Sequence, residues 1–169
     1  MNSTPDIPTL SSPSNNFFFK LDDEISLQVD KVTDAEEDSI QYYFELYNET
    51  NDIIETESGL IPSPSWTVTN FSSKEENMSY SWLVRSYDGF EYSTYSDRGY
   101  FHFNEVNEQP NLFGLLSSKP DSSNNLNYEF SWEKTTDPDP LDTVEYILSI
   151  GSEISNLKTY EVGSDTTYT

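Results

Sequence analysis

The sequence predicts an all-β chain built as antiparallel Greek-key sandwiches in tandem, the second of them truncated. Three observations predict it. Short runs alternate apolar and polar residues with the two-residue period of a half-buried strand. Turn signals of Pro, Gly, Asn and Asp separate those runs at sandwich spacing. The pattern then begins again about 100 residues later, which is one sandwich length.

The segment from Pro5 to Pro13, punctuated by Pro8, excludes helix and suits a first edge strand. Phe17, Phe18 and Phe19 form an aromatic run that either plugs one end of the sandwich or faces a neighbouring repeat. Ile25, Leu27 and Val29 alternate with Ser26, Gln28 and Asp30. After an acidic loop, Ile40, Tyr42, Phe44 and Leu46 alternate with Gln41, Tyr43, Glu45 and Tyr47. A shorter, less regular segment from Asp52 to Thr56 follows, and then a strand with Trp66 and Val68 on one face. The clearest strand runs from Met78 to the Asp88-Gly89 turn. It places Tyr80, Trp82 and Val84 on one face and Ser81, Leu83 and Arg85 on the other. Gly99 to Phe103 closes a set of about seven strands.

The repeat sets the domain organisation. Leu27 to Asp34 matches Phe130 to Asp137 in polarity, position by position, and Asp38 to Phe44 matches Asp142 to Leu148. Ser65-Trp66-Thr67 corresponds to Thr167-Tyr168-Thr169, and Pro8 to Pro110. A first domain at 1–105 and a second at 106–169 follow, joined by a proline linker from Glu105 to Pro110. The second contains no counterpart of Val68 to Phe103. It is expected to lack its last strands and to expose the core faces of Phe130, Trp132, Tyr146 and Leu148 along open sheet edges. Val29 stands where the second domain has Trp132. Interiors tolerate few voids, so Trp66 and Trp82 are expected to fill the first core instead.

Composition excludes several functions. Eight Lys and Arg face 31 Asp and Glu, a formal charge of -23, which repels nucleic acid and anionic lipid surfaces. The absence of cysteine removes disulfides, thiolate metal sites and cysteine nucleophiles. No basic and apolar leader follows Met1 and no run reaches membrane-spanning length. The reading is a piece of a longer secreted chain whose signal and anchor lie outside it. His102 is the sole histidine, set between Phe101 and Phe103 without a Gly-x-Ser-x-Gly nucleophile, so the chain reads as structural rather than as an enzyme.

Carboxylates supply the remaining chemistry. Asp34, Glu36 and Asp38 lie in one loop, and Asp137, Asp139 and Asp142 occupy the equivalent loop of the repeat. Their hard oxygens suit calcium, which takes about six to eight such ligands. Ordinary turn chemistry, with Pro fixing the backbone and Asp bonding nearby amides, accounts for the same residues. Tyr43, Tyr47, Tyr87 and Phe90 are candidates for outward-facing rings, which either stack on sugars or pair across strands.

The pattern Tyr80-x-Trp82-x-Val84-Arg85-x-Tyr87-Asp88-Gly89 precedes a strand rich in Tyr and Ser. A second, Trp132-x-x-Thr135-Thr136-Asp137-Pro138-Asp139-Pro140-x-Asp142-Thr143-Val144-x-Tyr146, lies in the repeat. Together they resemble the fibronectin type III-like repeats of bacterial and archaeal surface proteins. The resemblance implies tandem immunoglobulin-like, fibronectin type III-like antiparallel β-sandwiches in an extracellular or cell-surface setting. It implies a spacer or adhesion module whose partners are neighbouring repeats of the same parent chain. The alternative is a carbohydrate- or protein-binding module, with a glycan or surface protein as ligand. Tyr80, at the start of its strand, takes the place of the tyrosine whose hydroxyl bonds back to the preceding corner. The first domain departs from the pattern at Val29, and no Arg-Gly-Asp tripeptide is present.

Overall fold

The computed structural model describes residues 2–121 and 127–169, in two units, Met1–Val106 and Asn107–Thr169. Unit 1 contains β1 (Leu10–Ser12), β2 (Phe17–Phe19), β3 (Ile25–Val29), β4 (Gln41–Asn48), β5 (Ile53–Ile61), β6 (Ser65–Val68), β7 (Ser79–Tyr87) and β8 (Gly99–Phe103). One sheet has the order β1-β3-β6 and the other β2-β8-β7-β4-β5. The sheets face each other: Phe44 of β4 lies 6.0 Å from Trp66 of β6, ring centre to ring centre. Unit 1 is an immunoglobulin-like, fibronectin type III-like sandwich.

Its centre is β7, hydrogen-bonded on both edges. Leu46 of β4 faces Trp82 in register, and Gly99 of β8 faces Trp82 from the other side. Alternation puts Tyr80, Trp82 and Val84 into the core, each fully buried. Trp82 stacks on Phe44 at 6.1 Å, and a Cβ built on Gly99 would lie 2.8 Å from Trp82 Nε1. The missing side chain therefore lets the indole lie against the β8 backbone. Trp66 is half-buried at the core's margin, so Trp82 carries most of the filling expected of the two residues. Tyr80 Oη donates to the Ser73 carbonyl at 3.0 Å, the expected corner bond.

Two local expectations are corrected. Phe17 to Phe19 do not plug an end of the sandwich; they form β2, which runs parallel to β8 and leaves Phe17 and Phe18 exposed. The chain turns at Asn16, whose φ is 59°, and the Asn16 amide donates to the Tyr100 carbonyl at 2.8 Å, switching the segment onto the second sheet. The short segment at Asp52 to Thr56 is part of a nine-residue edge strand, Ile53–Ile61. Register shifts opposite Tyr43/Glu45 and Leu46/Tyr47 break its two-residue period, which hides it from a pattern of alternation.

Unit 2 contains β9 (Leu115–Pro120), β10 (Tyr128–Trp132), β11 (Tyr146–Ile150), β12 (Lys158–Gly163) and β13 (Thr167–Tyr168). Its sheets, β13-β10-β9 and β11-β12, reproduce β6-β3-β1 and β4-β5. Individual bonds repeat as well. The Val32 amide donates to Tyr42 Oη at 2.9 Å, and the Thr135 amide to Tyr146 Oη at 2.8 Å. Val29 N reaches the Pro64 carbonyl at 3.0 Å, and Trp132 N the Thr166 carbonyl at 3.1 Å.

The expected exposure of Trp132 and Tyr146 is also corrected. Both are buried and pack together at 5.6 Å, with Phe113 edge-on to Tyr146 at 5.4 Å. The strands present in unit 2 close that part of the interior by themselves. Phe130 and Leu148 are half-buried, and the exposed apolar residues of unit 2 include Leu112, Leu115, Leu116, Ile147 and Ile154.

Candidate functional site

The acidic loops are the first place to look for chemistry, and each is built the same way. In unit 1, Asp34 Oδ1 accepts from the amides of Glu36 at 2.8 Å and Asp38 at 3.3 Å, an Asx-type turn. In unit 2, Asp137 Oδ1 accepts from the Asp139 amide at 3.0 Å. The next carboxylate then holds the incoming N-terminal segment. Glu36 accepts from Ser3 N at 3.3 Å and Ser3 Oγ at 2.9 Å, while Asp139 accepts from Glu108 N at 2.9 Å. Both loops thus act as clamps on the start of their own unit.

The predicted metal ligands fare differently in the two loops. Asp137, Asp139 and Asp142 offer carboxylate oxygens that all lie within 4.8 Å of one another. Asp139 is buried, Asp137 half-buried and Asp142 exposed. Asp34, Glu36 and Asp38 are not brought together in this way among the described residues, because Glu36 turns to Ser3. Asp34 Oδ2 is buried without a hydrogen-bond partner and borders a groove of about 500 Å³ beside Val32, Asp38 and Tyr42.

The outward aromatics form a second cluster, on the solvent side of β4 and β7. Tyr43 and Arg85 are register partners across the two strands. The Arg85 guanidinium lies over Tyr92 at 4.0 Å, Tyr95 at 4.8 Å and Tyr43 at 5.1 Å, and Arg98 lies over Tyr47 at 4.8 Å. Glu45, though on the outer face, is buried and accepts from the hydroxyls of Tyr47 and Tyr95. A hydrogen bond to the Glu57 carboxylate, with burial adding to it, pushes the Tyr43 phenol up to about 12. For Tyr95, burial first and the Glu45 bond second raise the phenol. Negative neighbours and desolvation oppose a phenolate, so both tyrosines stay neutral donors. Their faces are covered by the protein's own cations, which leaves little ring open to a sugar. Tyr87 packs on Tyr92 at 4.6 Å, and Phe90, 73% exposed at the Asp88-Gly89 turn, stands apart.

Sequence reasoning missed the two arginines and Glu45. The available signal was positional: Arg85 sits on the outer face of its alternating strand, where the neighbouring outer face carries Tyr43 and Tyr47. His102 is buried, with Nδ1 2.9 Å from Ser79 Oγ and Nε2 3.4 Å from Asn16 Oδ1. Desolvation holds its pKa below the ordinary imidazole value. It braces β2, β7 and β8.

No protein-family model matches the chain, and no curated protein matches it. Among solved structures, the crystal structure of the chicken CNTN1 FN1-FN3 domains aligns with 99% of this chain and 57% of that chain, at 10% identity and a TM-score of 0.46. The chain thus spans little more than half of that neighbour's length. No helix among the described residues is long and apolar enough to cross a membrane, which leaves β-barrel crossings unaddressed.

Proposed function

We propose that the chain is a non-catalytic structural module, a spacer or adhesion element from a longer repeat-bearing protein of the cell surface. The observation that supports this reading is the duplicated framework. The bonds from Val32 and Thr135 to Tyr42 and Tyr146, and the clamps at Glu36 and Asp139, recur at matching positions. The outer face of β4 is not repeated in β11: Ile147, Ser149 and Gly151 stand where unit 1 has Tyr43, Glu45 and Tyr47. Units that share a scaffold but not a surface constellation fit a role set by shape and reach. Neighbouring repeats of the parent chain are then the natural partners.

Calcium enters this reading as a stiffening ion at Asp137, Asp139 and Asp142, which supply carboxylate oxygens toward the about six to eight it takes. The test pairs a polysaccharide array with melts of the whole chain in calcium and in magnesium at equal ionic strength. The spacer reading expects no retained polysaccharide and a calcium-specific rise in melting that Asp142→Asn removes. Equal rises in the two cations would leave the loop as a clamp alone. Retention of a polysaccharide, lost in Phe90→Ala, would replace the spacer reading with glycan binding.

A further inference from the structure

The loop between β3 and β4 of unit 1 borders a groove of about 500 Å³ whose two sides differ in chemistry. Ile40, Pro62 and Pro64 give it an apolar wall, and Asp34, Glu37 and Asp38 give it carboxylates. The loop is fixed by its own bonds. Asp34 Oδ1 accepts from the amides of Glu36 and Asp38, which sets the backbone that presents Glu37 and Asp38. Those two carboxylates, one exposed and one half-buried, take part in no hydrogen bond or ion pair among the described residues. Asp34 Oδ2 lacks a partner as well. It is closed to water, so its charge acts on the groove as a field rather than through contact.

A metal ion does not suit this arrangement. In unit 2 the oxygens of Asp137, Asp139 and Asp142 converge within 4.8 Å, and Asp34, Glu37 and Asp38 form no such group. A hard cation needs about six to eight oxygens at close range. A long basic side chain has other needs: its methylenes lie along an apolar wall while its charge stays at the polar end. Separated carboxylates suit the rotating donors of an ammonium better than the planar fork of a guanidinium. The groove is larger than one such side chain fills, and the hydroxyl residues Thr33 and Ser39 line it too, within reach of an incoming main chain. Charge complementarity points the same way. The chain carries a formal charge of -23, and Lys31, also on the groove, is in no ion pair with these acids.

We propose that this groove of unit 1 is a docking site for a lysine side chain of a partner polypeptide. The ammonium sits between Glu37 and Asp38, and the methylene stem lies on Ile40, Pro62 and Pro64. The inference goes beyond the spacer reading and does not depend on glycan binding or on calcium at unit 2.

The test uses the whole chain and a synthetic seven-residue peptide, capped at both ends, with one central lysine flanked by valine and serine. Amide shifts of Thr33, Ser39 and Ile40 are followed by NMR as peptide is added to about millimolar concentration. The expected result is a saturable shift that weakens as salt is raised. The same peptide with acetyl-lysine keeps the stem and loses the charge, and should bind about tenfold more weakly or worse. Glu37→Gln with Asp38→Asn should weaken binding by about fivefold or more, with the unfolding transition of unit 1 unchanged because neither side chain holds a bond. Lys31→Gln removes a like charge from the rim and should strengthen binding about twofold. Asp22→Asn with Glu24→Gln removes the same formal charge at the opposite end of β3 and should leave affinity almost unaltered. Three results would overturn the proposal: no saturable shift at the groove, equal binding of the acetyl-lysine peptide, or an equal loss in the Asp22/Glu24 variant. The last would reduce the attraction to the net charge of the chain.

Discussion

Gly99→Ala probes the centre of unit 1 with a single methyl group. The added Cβ would lie 2.8 Å from both Leu10 Cδ1 and Trp82 Nε1, and 3.1 Å from Trp82 Cε2. Ordinary contacts between such atoms fall near 3.5 to 4.0 Å, so something must move by about 0.7 Å or more. Leu10 offers a terminal methyl on an edge strand and can yield. Trp82 cannot: it is fully buried, stacked on Phe44 and held between β4 and β8. Overpacking of this kind costs about 1 to 3 kcal/mol. In a domain near 100 residues, a loss of about 2 kcal/mol lowers the melting temperature by roughly 8 to 16 °C. Urea unfolding gives the same quantity as a fall in midpoint at constant slope. The cause is isolated by repeating the substitution in a Trp82→Ala background, itself expected to cost about 3 to 5 kcal/mol. There the methyl group meets space, and most of its cost should vanish. A change below about 0.5 kcal/mol in the otherwise unaltered chain would refute the tight Gly99–Trp82 contact.

Tyr80→Phe removes the hydroxyl that bonds the Ser73 carbonyl and accepts from Asn48 Nδ2 at 3.3 Å. With Asn48 fully buried, the unpaired groups should cost about 1 to 3 kcal/mol by urea unfolding, and an unchanged midpoint would remove the corner bond from the fold's support. His102 gives the chain a pH response of defined sign. Burial lowers its pKa in the folded state, so its contribution is fully present above the unfolded imidazole's pKa. As the pH falls below that value the unfolded chain takes the proton first, and stability drops until the folded pKa is passed. His102→Gln should flatten this part of the profile between about pH 7.5 and 5, and parallel profiles for the two chains would contradict the assignment.

The parts of the fold legible in the sequence are those where one face is buried and the other wet. β3, β4 and β7 alternate for that reason, and the Tyr80 corner followed from its place at a strand start. The repeat was legible because framework positions such as Tyr42 and Tyr146 carry the same bond and so keep the same residue. β5 was illegible because its bulges shift the phase, and β2 because three consecutive phenylalanines carry no alternation. Burial in unit 2 was misjudged at Trp132 and Tyr146, since a pattern of alternation marks strands but not how completely those strands cover one another's residues. The acidic loops were legible as turns, while their grip on Ser3 and Glu108 joins positions about 30 residues apart that no local pattern connects.

The electrostatics of the chain tie these observations together. A protein with a charge of -23 would ordinarily place its few cations beside carboxylates, yet the described residues contain two ion pairs, Arg98–Glu49 and Lys119–Glu129. In unit 1 three of the cations lie over aromatic rings, Arg98 in addition to its ion pair. Arg85 and Arg98 cover the outer tyrosines, and Lys74 lies 5.1 Å from Phe71 and 5.4 Å from Phe103 while donating to the Asp23 carbonyl. Cation stems and rings shield apolar surface that would otherwise face water, a use that exposed ion pairs do not serve. The excess of acids over cations remains as a repulsive coat, which discourages contact between copies.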